Sequence, residues 1–227
     1  MSASPVRHPA FINYPKQASF GRVLPKNKVY EHSGANTRLK NLFVEQVEQI
    51  VWQYKLAPET INLPARAAVP EVQVFRIVLK TQDLSVDVLK CIDGVVQFPI
   101  IFELENEGKT KIIAAHKRPS EADASKWVVS NYFSTLWMPS DSERDHMPVA
   151  LDIAGLYEAL LQRLIPLAPR AEERFTALVE RLENVKAKQR EIEKARAKLA
   201  KEKQFNRKVE INGTLRQLNN ELEELSH

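Results

Sequence analysis

Apolar positions after Asn36 recur at every third or fourth residue, which is the spacing of one face of an α-helix. The residues are Leu39, Phe43, Val47, Ile50 and Tyr54. Asn36-Thr37 offers a typical N-cap, and Ala57-Pro58 a typical stop, because a residue before proline avoids helical dihedrals. The pattern therefore predicts a helix of about 18 residues after this cap.

The middle of the chain alternates apolar and polar residues instead, which predicts strands. The predicted strands are 71–80, 99–105, 109–117 and 126–137. A short helix is predicted at 85–93 after the first strand, with Ser85 as its N-cap and Gly94 as its C-terminal stop. Asn106-Glu107-Gly108 supplies the turn between the second and third strands. The first two strands are expected to be parallel, since a helical crossover joins them. A helix over 150–167, with Asp152 near its start, is expected to cover the sheet.

From Arg170 onward the chain has no proline, so one helix of some 55 residues or a helical hairpin is expected. Two sets of heptad positions occur in it, and they are out of phase between about 199 and 211. We interpret the slip as a change of contact surface on one helix, with Phe205 and Val209 as a separate patch. Alternatively, Asn212-Gly213 is a turn and residues 214–226 fold back.

These patterns predict an α+β protein: a small mixed β-sheet (β-α-β-β-β) covered by helices and followed by a long, coiled-coil-like C-terminal α-helix. The expected organisation has three parts, which are an extended N-terminal arm at 1–35, a body at 36–168 and the C-terminal helix at 169–227. The arm is assigned because four prolines interrupt it and only scattered aromatic residues could dock it on a core.

The composition of the chain excludes several classes of protein. No apolar run reaches the ~18–20 residues of a membrane span, and the first 30 residues lack the apolar stretch of a secretory signal. We therefore expect a cytoplasmic protein without membrane contact. Cys91 is the only cysteine, which excludes an intramolecular disulfide and a thiolate-rich zinc site, and it is expected to be a buried core residue.

The net charge of +4 is concentrated in the last quarter of the chain. Residues 181–208 hold eleven Lys or Arg and four Glu, so the local balance is 11 − 4 = +7. Such a block can contact phosphates, although the solvated face of a long helix has a similar composition. The candidate nucleic-acid contacts are Lys186, Lys188, Arg190, Lys194, Arg196, Lys198, Lys201, Lys203, Arg207 and Lys208.

Motifs for catalysis are missing from the sequence. It has no phosphate-binding glycine loop, no nucleophile elbow and no histidine pair at metal-binding spacing, so no cofactor, metal or catalytic residue is predicted. Glu103 and Asp93 are weak candidates for a nuclease, because no lysine follows at the required spacing. We expect Glu103 and Glu105 to face solvent opposite Lys109 and Lys111.

One further cationic stretch ends the predicted third strand. His116-Lys117-Arg118 lies near Lys126-Trp127, and cations beside an aromatic ring can hold a nucleic-acid backbone. An exposed strand end without a binding role is the simpler interpretation of the same residues.

Five stretches, in order along the chain, resemble a bacterial family known only as a domain of unknown function. They are NYPKQASFGRVLPKNKVYEH, VEQIVWQYKLAPETINLP, IDGVVQFPIIFEL, ALDIAGLYEALLQRL and EKQFNRKVEIN. Members of that family tend to be encoded beside helicases of the SNF2 or type III restriction kind and DNA methyltransferases. The resemblance implies an accessory role in restriction-like, anti-phage defence, and it supplies no catalytic residues.

The resulting hypothesis is a non-enzymatic adaptor that docks on a helicase or DNA methyltransferase subunit, with DNA backbone contact as an additional expectation. Eight apolar residues are assigned to docking: Leu178, Leu182, Val185, Phe205, Val209, Leu215, Leu218 and Leu222. Two alternatives remain open, a small DNA-processing enzyme such as a nuclease or its relic, and a self-associating coiled-coil protein.

Overall fold

The computed structural model describes residues 11–120, 122–123 and 126–226, and it divides into two compact units with a boundary between Leu164 and Ile165. The strands are β1 (Ile12–Asn13), β2 (Ser19–Val23), β3 (Val47–Leu56), β4 (Val72–Leu79), β5 (Ile100–Asn106), β6 (Lys109–Pro119), β7 (Trp127–Ser134), β8 (Met138–Pro139) and β9 (Asp145–His146). The helices are α1 (Lys26–Ser33), α2 (Thr37–Gln46), α3 (Pro58–Ile61), α4 (Val86–Val95), α5 (Ile153–Gln162), α6 (Phe175–Lys201) and α7 (Phe205–Ser226).

The first unit is built on a seven-stranded mixed sheet in the order β2-β3-β4-β5-β6-β7, with β8 beside β6. β4 and β5 are parallel and are joined through α4, while the other neighbours are antiparallel. The four predicted strands and the parallel crossover are therefore present. The α+β class and the mixed sheet are confirmed.

The predicted helix after Asn36 is wrong in its second half. Asn36 does cap a helix, since its side-chain oxygen accepts a hydrogen bond from the Leu39 amide at 2.9 Å. That helix, α2, ends at Gln46, and the chain continues as the ten-residue strand β3 between β2 and β4. Residues 47–56 are rich in β-branched and aromatic side chains, and pairing on both sides overrides their helical spacing.

Residues 11–35, which fall in the predicted arm, are not simply extended. They include β1, a short 3-10 turn at Lys16–Ala18, β2 and α1, and Phe11, Ile12 and Tyr14 are buried. β2 pairs with β3, and Val29 of α1 packs in the core cluster on one face of the sheet. The part of the arm before residue 11 lies outside the described residues.

Local signals in the middle of the chain are largely confirmed. Ser85 and Asp152 cap α4 and α5 through their side chains, at 3.3 Å from the Asp87 amide and 2.9 Å from the Gly155 amide. The β5–β6 turn places Glu107 at φ 46° and Gly108 at φ 73°, as a tight hairpin requires. Gly94, expected to end α4, instead lies inside it.

A buried lysine holds the C-terminal end of α4. Lys117, on β6, donates through Nζ to the carbonyl oxygens of Asp93, at 2.6 Å, and Val96. These carbonyls lack partners within the helix, and a cation there also complements the helix dipole. The Asp93 carboxylate lies 3.8 Å from the same Nζ and accepts a hydrogen bond from the Tyr132 hydroxyl.

The second unit is a helical hairpin rather than one rod. α6 and α7 are joined by residues 202–204 and lie antiparallel, so that Ile192 of α6 packs with Ile211 and Leu215 of α7. Ala195, Leu199, Leu218 and Leu222 extend this small core. The turn does not fall at Asn212-Gly213, which lies within α7. Among the described residues, no helix has the length and apolar character needed to cross a membrane.

Arg181 closes the open end of this hairpin. Its guanidinium donates to both carboxylate oxygens of Glu173 at 2.8 Å, to the Ala168 carbonyl at 2.7 Å and to the Leu225 carbonyl at 2.9 Å. The Arg181 side chain is 5% exposed and that of Glu173 8% exposed. The pair therefore ties the segment before α6 to the C-terminal end of α7, a contact we call the Arg181 latch.

Replacing Lys117 is expected to destabilise the first unit. Lys117→Met leaves the buried Asp93 carboxylate and two carbonyls without a cation, so we expect a loss of about 3 kcal/mol in the free energy of unfolding. Urea unfolding followed by tryptophan fluorescence measures it, because all three tryptophans lie in this unit. Lys109→Met, exposed on the same strand, is the control; equal destabilisation by both changes would contradict the assignment.

The Arg181 latch is also expected to fail in acid. Hydrogen bonding to Arg181 lowers the pKa of Glu173 from 4.5 to about 2, so its stabilisation is present above pH 4.5 and is lost as the pH falls towards 2. Hydrogen exchange of α7 peptides, corrected for intrinsic rates, should show increasing opening across that range. Glu173→Gln should remove this acid dependence and the exposed Glu193→Gln should retain it. Acid opening that is identical in Glu173→Gln and the unaltered protein would refute the latch.

Candidate functional site

The closed end of the hairpin is shaped by Glu202. α6 ends at Lys201, and the Glu202 carboxylate then accepts hydrogen bonds from the backbone amides of Lys203 and Gln204, at 2.8 and 2.9 Å. These bonds lower the pKa of Glu202 and satisfy the two amides of the turn just before α7. The Glu202 side chain thus stabilises a three-residue turn that contains no glycine or proline.

This turn brings basic residues from two helices together. Seven exposed cations, which we call the basic tip, lie at the end of α6, in the turn and at the start of α7: Lys194, Arg196, Lys198, Lys201, Lys203, Arg207 and Lys208. Glu202 is the one acid within residues 194–208, so the segment carries 7 − 1 = +6. Within the described residues, none of the seven forms an ion pair.

The other three predicted nucleic-acid contacts lie farther from the turn. Lys186 is half-buried, and burial lowers its pKa. Lys188 is half-buried as well and pairs with Glu191 at 2.9 Å and Glu221 at 2.8 Å. Arg190 is exposed. The charge of Lys188 is thus already balanced, and the tip is the largest group of cations in the block without ion pairs among the described residues.

Two large apolar side chains are exposed beside these cations. Phe205 is 77% exposed and Val209 54% exposed, and they lie one helical turn apart on α7. We call this pair the apolar patch. An aromatic ring among unpaired cations is a combination that binds nucleic-acid backbone and bases, and it is also a typical protein-docking feature.

The other residues predicted for docking are already covered. Leu178, Leu182 and Val185 are 1%, 2% and 5% exposed. Leu215 is 9% exposed, and Leu218 and Leu222 pack beside it in the hairpin core. An exposed apolar rod was expected, but the hairpin folds the heptad positions of α7 against those of α6. The prediction of an eight-residue docking surface thus reduces to the apolar patch.

The carboxylates considered for a nuclease do not converge. Phe102 and Leu104 of β5 pack in the core on the α4 face of the sheet, so Glu103 between them faces the opposite side from Asp93. Both Glu103 oxygens accept hydrogen bonds from Arg144 at 3.0 Å, and the residue is 3% exposed. The expectation that Glu103 faces solvent opposite Lys109 and Lys111 is wrong, since its cross-strand neighbour is Ile112.

The stretch His116-Lys117 is not an exposed strand end either. Both residues are buried, and Lys117 is held by the end of α4. Burial raises the pKa of Asp93 to about 6 and lowers the pKa of Lys117. Cys91 is buried as predicted. Among the described residues, no group of three or more His, Cys, Asp or Glu side chains could hold a metal ion.

Two residues that build the site were not identified from the sequence. Glu202 resembles any other charge in a basic helix, and Arg181 any other cation in the block. The one signal in the sequence was the phase slip between 199 and 211, which coincides with the turn at 202–204. Two out-of-phase apolar stripes face each other when the chain reverses between them.

Comparison with known proteins identifies a family. A family model described as a domain of unknown function (DUF4391) matches residues 12–222, which is nearly all of the chain. No curated protein and no solved structure matches the chain. The family match agrees with the resemblance carried by the five sequence stretches, although it gives no genomic neighbourhood and no activity. The chain therefore belongs to the DUF4391 family of domains of unknown function.

Proposed function

We propose that this protein is a non-enzymatic accessory subunit of a restriction-like, anti-phage defence complex. In this proposal the basic tip holds the DNA backbone, and the apolar patch docks on a helicase or DNA methyltransferase subunit. The observation that carries the proposal is the basic tip itself: seven exposed cations, without ion pairs among the described residues, gathered from two helices around one turn.

Electrostatics favour DNA as the ligand of the tip. Unpaired Lys and Arg side chains on a narrow turn attract phosphates and release their counterions, which gives binding without sequence preference. Structural cations elsewhere in the chain have carbonyl or carboxylate partners, as Lys117 and Arg181 do. The tip has no such partner within the described residues, so a fold-stabilising role does not explain it.

The two alternatives have less support. A nuclease needs converging carboxylates, whereas Glu103 is held by Arg144 and Asp93 lies on the other face of the sheet. A self-associating coiled coil needs a free apolar stripe, whereas the stripe of α7 packs within its own hairpin. The helicase or methyltransferase partner comes from the neighbourhood that the family resemblance implies, and the apolar patch is a surface suited to it.

Charge reversal at the tip tests DNA binding. Replacing Lys198, Lys201, Arg207 and Lys208 by Glu should weaken binding to a mixed-sequence duplex strongly. The slope of log Kobs against log salt should also fall by about 1 for each phosphate that the variant no longer binds. Fluorescence anisotropy at several salt concentrations measures both quantities.

The matched control carries four reversals on the exposed surface of the first unit, at Lys16, Lys40, Lys90 and Lys109. It changes the net charge equally but leaves the tip intact, so it should retain most of the affinity and the salt slope. An equal loss in both variants, or no duplex binding by the unaltered protein at low salt, would contradict the proposal.

Removing the apolar patch tests docking. Phe205→Ser with Val209→Ser should abolish co-purification of a helicase or DNA methyltransferase from nuclease-treated extract of the native host, identified by mass spectrometry. The side chains are exposed, so the fold should be retained. Leu136→Ser with Val149→Ser, which removes two similarly exposed apolar residues elsewhere, is the control. If the unaltered protein captures neither a helicase nor a DNA methyltransferase, this part of the proposal is contradicted.

A further inference from the structure

Helix α7 is supported unevenly along its length. Its buried residues are Ile211 and Leu215, and Leu218 and Leu222 pack beside them in the hairpin core. Residues 205–210, which we call the start segment of α7, are all exposed. Since local stability follows buried apolar contacts, the start segment lacks the support that holds the rest of the helix.

The residues in and next to the start segment are also poor helix formers. Asn206 and Val209 have low helix propensity, and Gly213 is among the least favourable residues in a helix interior. A Cβ at Gly213 would meet no atom of the described residues within 4 Å, so no close packing requires a glycine there. The Thr214 hydroxyl donates to the Glu210 carbonyl at 3.2 Å, a bond that slightly weakens a helix. The helix therefore propagates poorly from its packed half into the start segment.

The charge of the start segment opposes helix formation as well. The first turn of α7 contains Arg207 and Lys208 and no acid. Cations are unfavourable there, because the N-terminus of a helix is the positive end of its dipole. The remaining cations of the basic tip lie at the same end of the hairpin, and Glu202 is the one acid within residues 194–208. An anion placed against this end relieves both the repulsion between the cations and the unfavourable interaction with the dipole.

We propose that the start segment becomes a stable helix only when the basic tip binds a polyanion, so that the tip folds on the DNA it holds. Phosphates beside Arg207 and Lys208 neutralise the charge that opposes the helix and complement its dipole. Ordering the segment lowers the affinity for DNA below that of a rigid hairpin with the same cations. The identity of the polyanion rests on the proposed function, whereas the stability of the start segment can be measured without DNA.

Hydrogen exchange of the full-length protein tests the proposal directly. The amides of residues 208–212 are informative, because their helical acceptors are the carbonyls of residues 204–208. In the free protein these amides should be at least about tenfold less protected than those of residues 215–222 in the packed half of α7. A saturating mixed-sequence duplex should protect the amides of 208–212 and leave those of 215–222 unchanged. Equal protection of the two sets in the free protein would overturn the proposal.

Inorganic polyphosphate separates this proposal from the proposed function. It presents a row of phosphates without bases or grooves, and it should protect the same amides. Protection by polyphosphate but not by the duplex would support ordering by a polyanion and contradict DNA as the partner. If neither polyanion protects the amides of residues 208–212, the proposal is wrong.

Proline substitutions distinguish folding on DNA from a preformed helix. Val209→Pro removes the amide that bonds to the Phe205 carbonyl and interrupts the start segment alone. Exchange of residues 215–222 in the free protein should stay unchanged, while the affinity for the duplex should fall at least about tenfold.

Two further variants are controls. Val209→Ala, which removes the same side chain but favours the helix, should bind the duplex at least as tightly as the unaltered protein. Gln217→Pro, at an exposed position in the packed half, should increase exchange throughout the hairpin.

Either of two results with these variants would contradict the proposal. If Val209→Pro increases exchange of residues 215–222 as much as Gln217→Pro does, the start segment is already folded in the free protein. If Val209→Pro binds the duplex with unchanged affinity, binding does not require the helix.

Discussion

The basic tip depends on a buried guanidinium at the other end of the hairpin. Arg181 binds Glu173 with two hydrogen bonds and reaches the carbonyls of Ala168 and Leu225, so one side chain fixes both the entry to α6 and the end of α7. Fixing these ends also fixes the register of the two helices. Cations separated along the chain, such as Lys198 and Lys208, come to the same end of the hairpin because the chain reverses at 202–204, and the latch holds the two helices together at the opposite end.

The same chemistry recurs in the first unit, where cations end helices. Lys26 donates to the carbonyls of Phe43, at 3.2 Å, and Val47 at the end of α2, and Lys117 does the same at the end of α4. At the end of α2 the Phe43 carbonyl also accepts a hydrogen bond from the Val47 amide, so Lys26 adds to the capping there, and in both helices the cation complements the dipole. Cations that stabilise the fold therefore have identifiable partners, and the basic tip differs from them because its members have none within the described residues.

Sequence patterns predicted the sheet well because its signals are local. Alternation located β4 to β7, and Ser85 caps α4 as expected. Asp152, expected near the start of a helix, also caps α5. Residues 47–56 were assigned to a helix because their apolar spacing satisfies both periods, and only pairing with β2 and β4 decides for a strand. The choice between helix and strand therefore depends on tertiary contacts, and the sequence of the segment alone does not determine it.

The sequence predicted which residues make up the basic block, but it did not predict where they lie in the structure. The ten cations were identified correctly as a basic block, yet their separation into a free tip and a remainder that includes paired Lys188 depends on the turn at 202–204. Glu202 makes that turn by binding backbone amides, with no glycine or proline to mark it in the sequence. Six of the eight residues predicted for docking are covered for a related reason: apolar heptads predict a buried seam but do not say whether the partner is another chain or the same one.

The central claim is that the tip of the hairpin is the surface that meets DNA. Lysine reactivity towards an acylating reagent, compared with and without a duplex and mapped by mass spectrometry, tests it most directly. The account predicts protection of Lys194, Lys198, Lys201, Lys203 and Lys208, with unchanged labelling of Lys16, Lys40, Lys90 and Lys109. Protection confined to the first unit, or equal labelling of every lysine in both samples, would contradict it.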